Sequence, residues 1–140
     1  MELKDSIIIK YKSCNEALSS LHDAIKLLEK TDEMSQEVEY LAFQDSVIKR
    51  FEYSLDVSWK YVKEYLLDRF GVTVKSPKET FREAFKQNLL SEKDAELALD
   101  MVDDRNETSH RYDHSRAKEI SEIIPTYYSV LIGLMEKVRS

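Results

Sequence analysis

"IIIKYKSCNEALSSLHDAIKLL", residues 7 to 28, decides the fold class. Ile7, Tyr11, Cys14, Leu18, Leu21, Ile25 and Leu28 follow one another at alternating steps of four and three. That spacing puts them on one face of a helix and sustains the face over three heptads. The far end of the chain repeats it with Ala117, Ile120, Ile124, Tyr127, Leu131, Leu134 and Val138. Between the two, from about 37 to 68, Gln44, Val47, Phe51, Leu55, Ser58, Val62 and Leu66 form a third stripe, widened by Ile48, Trp59 and Tyr65. Gly71 follows "LLDRF", where a glycine C-cap ends a helix.

"SPKE" at 76–79 is a helix start. Ser76 caps, Pro77 fits the first turn and Glu79 completes a capping box. "SEKD" at 91–94 repeats the logic with Ser91 and Asp94. The spacing therefore predicts helices over about 2–30, 37–69, 77–88, 91–110 and 115–138. Three span a bundle, the fourth nearly does, and the short one lies in the crossover. The expected fold is all-α: an antiparallel four-helix up-and-down bundle with a short additional helix in the crossover, a single domain over 1–140.

Composition agrees. Two glycines and two prolines leave little room for the turns a sheet needs. A net charge of -6 means bulk charge does not draw the chain to nucleic acid, although a local basic patch can still act. Cys14 is the only cysteine, so no internal disulfide forms and a reducing interior suits the chain. The N-terminal apolar run is too short for a signal peptide, and no segment reaches the roughly 18 apolar residues of a membrane span. The expectation is a soluble cytoplasmic protein away from the membrane.

The anomaly lies in "MVDDRNETSHRYDHS", residues 101–115. Ala95, Ala98 and Val102 form the stripe of the fourth helix, with Leu99 beside it. Continued by three and four residues, the stripe lands on Arg105 and Asn106, then Ser109. Polar groups aimed at a core or an interface must find partners, and a guanidinium there needs an anion or several carbonyls. Asn106 and His110 are four apart and share a face. Two readings stay open: Arg105 pairs with a buried carboxylate while His110 caps a helix end, or Arg105, Asn106, His110 and Tyr112 converge as a site. In the second, a neutral imidazole can take a ribose 2′-hydroxyl proton while a guanidinium holds the phosphate. One such histidine per chain is thin for both base and acid, so a two-fold homodimer would help.

Other signals weigh less. Lys78, Arg82 and Lys86, with Lys75 before them, form either a phosphate-binding stripe or a solvated face interleaved with Glu79 and Glu83. Phe51 and Trp59 read as core, whereas Tyr61 falls off the stripe and reads as a surface aromatic able to stack a base. Cys14 reads as packing. His22 sits on a charged shoulder. His110, Asp113 and His114 lie close in sequence without a third fixed ligand, so no metal and no cofactor is expected. A nucleotidyltransferase needs a Gly-Ser turn and an Asp-x-Asp pair. Gly71 and Gly133 are the only glycines and neither precedes Ser, so this chain lacks that machinery.

"RNETSHRY" at 105–112 resembles the signature of the HEPN superfamily of small helical bundles. With "IKRFEYSLDVSWKYVKEYL" at 48–66 and "GVTVKSPKETFREAF" at 71–85, the chain looks like the branch described as nucleotidyltransferase substrate-binding proteins. The resemblance implies that Arg105 and His110 match the family's Arg–His pair, which in its ribonuclease members meets across a dimer and acts on RNA without metal. It implies that Asn106 matches the polar residue after the Arg, and Tyr112 a tyrosine that partner nucleotidyltransferases can modify. Arg111, between His110 and Tyr112, departs from the pattern by adding a cation beside the site. The branch implies a non-catalytic subunit, a helical dimer that binds a separate minimal nucleotidyltransferase and presents a nucleotide, RNA or other substrate. The alternative is a metal-independent endoribonuclease toxin neutralised by that nucleotidyltransferase in a toxin–antitoxin pair.

Overall fold

The computed structural model describes residues 3–108 and 114–140. Those residues form five helices and no strand: α1 (Leu3–Glu29), α2 (Glu37–Phe70), α3 (Pro77–Lys86), α4 (Glu92–Thr108) and α5 (His114–Lys137). None of them is long and apolar enough to cross a membrane.

α2 is the spine, with 34 residues that extend about 50 Å, and it touches all four other helices. Its neighbours' directions follow from which residues meet. Ser20 meets Arg50, Cys14 meets Val57 and Ser6 meets Glu64. Numbers rise along one helix as they fall along the other, so α1 and α2 are antiparallel. Gln44 meets Ser121, Phe51 stacks on Tyr127 and Tyr61 meets Val138, so α2 and α5 point the same way. α4 opposes both: Thr108 meets Glu52 while the earlier Arg105 reaches Asp56 on α2, and Glu107 meets Arg116 while the earlier Asp104 reaches Tyr127 on α5.

The periodic positions are the core. Cys14, Leu18, Leu21, Val47, Phe51, Leu55, Val62, Leu66, Ile120, Ile124, Leu131 and Leu134 are all buried. Each large apolar side chain so buried contributes about 1.5–3 kcal/mol relative to exposure. Trp59 is only half-buried and packs on the core's edge. Cys14 donates to the Val57 carbonyl at 3.3 Å, and burial pushes its thiol up to about 11, so it packs rather than reacts.

One sequence expectation fails outright. Tyr61 is fully buried, not a surface aromatic. Its ring lies 5.3 Å from Tyr11 and 6.3 Å from Tyr65, and its hydroxyl donates to the Val138 carbonyl. α2 packs against all four other helices and so buries more than one stripe, and a position off its main apolar stripe still lies inside.

The helix ends follow the local chemistry. Gly71, at φ 67, closes α2 with its N–H on Leu67 and the Val72 N–H on Leu66. Ser76 accepts from the Glu79 N–H at 3.2 Å. Glu79 reaches back to the Lys75 N–H rather than to that of Ser76, a box displaced by one residue. α3 ends two residues before the expected 88, because Asn88 takes φ 61 and the Leu89 N–H returns to Ala84. Ser91 accepts from the Asp94 N–H and starts α4.

Candidate functional site

The last turns of α4 are set by a stripe of buried Ala98, Met101 and Val102. Carried forward by three and four residues, it places Arg105 and Thr108 inward and half-buried, while Asn106 is exposed. Met101 and Val102 are adjacent and both buried, but one turn later the inward face has narrowed to Arg105, and Asn106 turns to the surface. The expectation that Arg105 and Asn106 both continue the stripe is corrected on that point. His110 and Tyr112, with Ser109, Arg111 and Asp113, lie outside the described residues.

Arg105 meets two carboxylates from one face of α2. Nη1 donates to Glu52 Oε2 at 3.0 Å, Nη2 to Asp56 Oδ2 at 3.1 Å and Nε to Asp56 Oδ1 at 3.4 Å. This fork geometry is the one guanidinium groups favour. The Asp56 hydrogen bonds, and then the charge of Glu52, hold the Arg105 pKa above its ordinary value. Thr108 Oγ1 lies 2.7 Å from both Glu52 Oε2 and the Arg105 carbonyl. Glu52 is buried, with its residue 8% exposed, which a carboxylate tolerates only when partnered.

A second cluster lies on the α5 side. Arg116 donates to Asp104 and Glu107 at 2.8 Å and to Glu119 at 2.9 Å. Glu107, then Glu119, drive its pKa upward. The Tyr127 hydroxyl donates to Asp104, and burial followed by that carboxylate raises its pKa well above the ordinary value. Two arginines thus gather five carboxylates where α2, α4 and α5 meet.

A cavity of about 400 Å³ opens beside them, between the first half of α2, the end of α4 and the start of α5. Ile48, Ala117 and Ile120 give it an apolar wall, and Asp45, Lys49 and Glu52 supply charge. Elsewhere the basic stripe of α3 is tied into the surface, with Lys78 on Asp103 at 2.7 Å and Lys86 near Glu83. His22 is exposed, its ring 5.4 Å from that of Tyr128. Among the described residues no three His, Cys, Asp or Glu gather as metal ligands.

Sequence reasoning missed Glu52 and Asp56. The signal was present: they are four apart, each one position beyond a core residue, Phe51 and Leu55. A carboxylate pair on the flank of a buried stripe calls for a cation from the next helix.

This helical architecture, with a charged cluster where three helices meet, places the chain in a class of small α-helical proteins. The chain belongs to the family described as nucleotidyltransferase substrate binding protein like, whose model matches residues 10–140. It is also similar to the crystal structure of ttk003001694 from Thermus thermophilus. That likeness has a TM-score of 0.78 and 31% sequence identity, covering 91% of this chain and 99% of the other. No curated protein matches it.

Proposed function

We propose that this chain is the substrate-binding subunit of a separate minimal nucleotidyltransferase, working as a homodimer. The family match over residues 10–140 is the observation that carries this reading. The missing Gly-Ser turn and Asp-x-Asp pair support the same division of labour, with catalysis on the partner. α1, α2, α4 and α5 form one up-and-down bundle domain, with α3 in its crossover. The alternating helix directions support that arrangement.

The site is the α4 end, with Arg105, Asn106, His110 and Tyr112 as binding residues and Tyr112 as the position the partner can modify. Arg105 enters with its fork on Glu52 and Asp56. An anion can therefore bind it only by competing with two carboxylates, which counts against Arg105 as the phosphate-holding group of a ribonuclease.

Co-expression with an Asp-x-Asp nucleotidyltransferase encoded beside this chain, followed by affinity purification, tests the reading. A stoichiometric complex is expected, and failure to co-purify would sink it. RNA cleavage by the chain alone, lost in His110→Ala, would move the function to the ribonuclease class instead.

A further inference from the structure

Glu52 joins the two parts of the charged end. Its Oε2 is occupied by Arg105 Nη1 at 3.0 Å and by Thr108 Oγ1 at 2.7 Å. Among the described residues its Oε1 has only the Lys49 ammonium, 3.5 Å away on a side chain that is 82% exposed. Glu52 also lines the cavity of about 400 Å³. The arrangement is therefore asymmetric: one oxygen anchors the carboxylate within the protein, and the other is held loosely by a solvated lysine.

The rest of the cavity wall has the same bias. Among the described residues four carboxylates, Asp45, Glu52, Glu107 and Glu119, line it against two cations, Lys49 and Arg116. Arg116 is bound to Asp104, Glu107 and Glu119. Asp45 is exposed and makes no ion pair among the described residues. Ile48, Ala117 and Ile120 supply the cavity's apolar lining. A cavity of this size with an apolar wall and a few fixed polar groups suits a small organic ligand. The sign of those groups selects a cation, because an anion would face carboxylates in a partly desolvated site.

We infer that the cavity between α2 and α5 binds an organic ammonium ion, its charge on Glu52 Oε1 and Asp45 and its carbon chain on Ile48, Ala117 and Ile120. This rests on the substrate-binding reading and deepens it, naming a positively charged amine as the class of molecule held. Lys49 swings into solvent as the ligand ammonium takes its place, so the charge on Glu52 stays balanced.

The test is an amide-shift titration of the ¹⁵N-labelled full chain with cadaverine. A diol of the same chain length serves as the uncharged control and inorganic pyrophosphate as the anionic one. Saturable shifts at Ile48, Glu52, Ala117 and Ile120 are expected with cadaverine alone. Glu52→Gln should weaken binding about tenfold or more, and Asp45→Asn less. Ala117→Met should fill the cavity and abolish binding. If Glu52→Gln does not fold, Asp45→Asn and Ala117→Met decide. Equal shifts from the diol, shifts from pyrophosphate only, or no saturable shift overturn the inference. The co-purification experiment is independent: amine binding without a complex would sink the subunit reading alone, and a complex without amine binding would sink this one alone.

Discussion

Near the C-terminal end of α2, Tyr61 lies between the rings of Tyr11 and Tyr65, and Tyr65 in turn meets Phe70 at 6.4 Å and Arg69 at 5.1 Å. Nearer its N-terminal end, the same helix carries Glu52 and Asp56 to Arg105, beside a cavity. The first region buries apolar area and ties the Tyr61 hydroxyl to the Val138 carbonyl, an arrangement that serves stability. The second holds charge that well-packed apolar residues could replace at little or no cost in stability. That contrast is why the charged region, not the aromatic one, carries the proposed site.

Substitutions at the two ends should therefore fail differently. The largest effect belongs to the aromatic end. Leu66→Ala, at a fully buried position, should cost about 2–5 kcal/mol in urea unfolding, through lost transfer energy and an unfilled cavity. Binding by the folded fraction should be unchanged, and a specific binding loss there would break the comparison.

Alkali comes next. Burial pushes Tyr61 up to about 12 from an ordinary value of 10.0. Its neutral form is favoured in the fold, so its contribution is intact below pH 10 and fades as pH rises from 10 towards 12. That share amounts to about 3 kcal/mol at most. Tyr61→Phe should flatten this stretch of the stability curve, and an unchanged slope would show that other groups set it.

At the charged end, Arg105→Ala should cost about 2 kcal/mol. That is below the roughly 3–5 kcal/mol of a fully buried pair, because the Asp56 side chain is 42% exposed. Combining it with Glu52→Gln and Asp56→Asn should restore most of the loss, since the penalty comes from orphaned carboxylates. If the triple variant is less stable than the single one, the cluster is structural. The smallest effect is Gly71→Ala. No atom lies within 4 Å of the added Cβ, so only the positive φ is strained, and the melting shift should correspond to about 1 kcal/mol.

These expectations also mark what the amino-acid pattern could carry. Helix positions and caps were legible because they are local: Gly71, Ser76 and Ser91 act on backbone groups a few residues away. The main apolar stripe of α2 was equally plain. Tyr61 was not, because its burial depends on α5 arriving at Val138, a contact 77 residues distant in sequence. The same holds for Arg105. Its partly inward direction was readable from the α4 stripe, but its partners sit on another helix. Asn106 was misdirected because the inward face narrows from the adjacent Met101 and Val102 to Arg105 alone. His110 and Tyr112 fall outside the described residues, so their part in the site rests on the sequence signature.

Pro125 lies within α5. Proline has no N–H, so the Ser121 carbonyl loses its helical donor one turn before it. The bond ladder of α5 is thus interrupted between the segment bearing Arg116 and Glu119 and the segment from Tyr127 to Met135 that fills the core. Amide hydrogen exchange should divide the helix at this point, with the first segment opening at lower free energy than the second. The charged end could then loosen and re-form while the rest of the molecule stays folded.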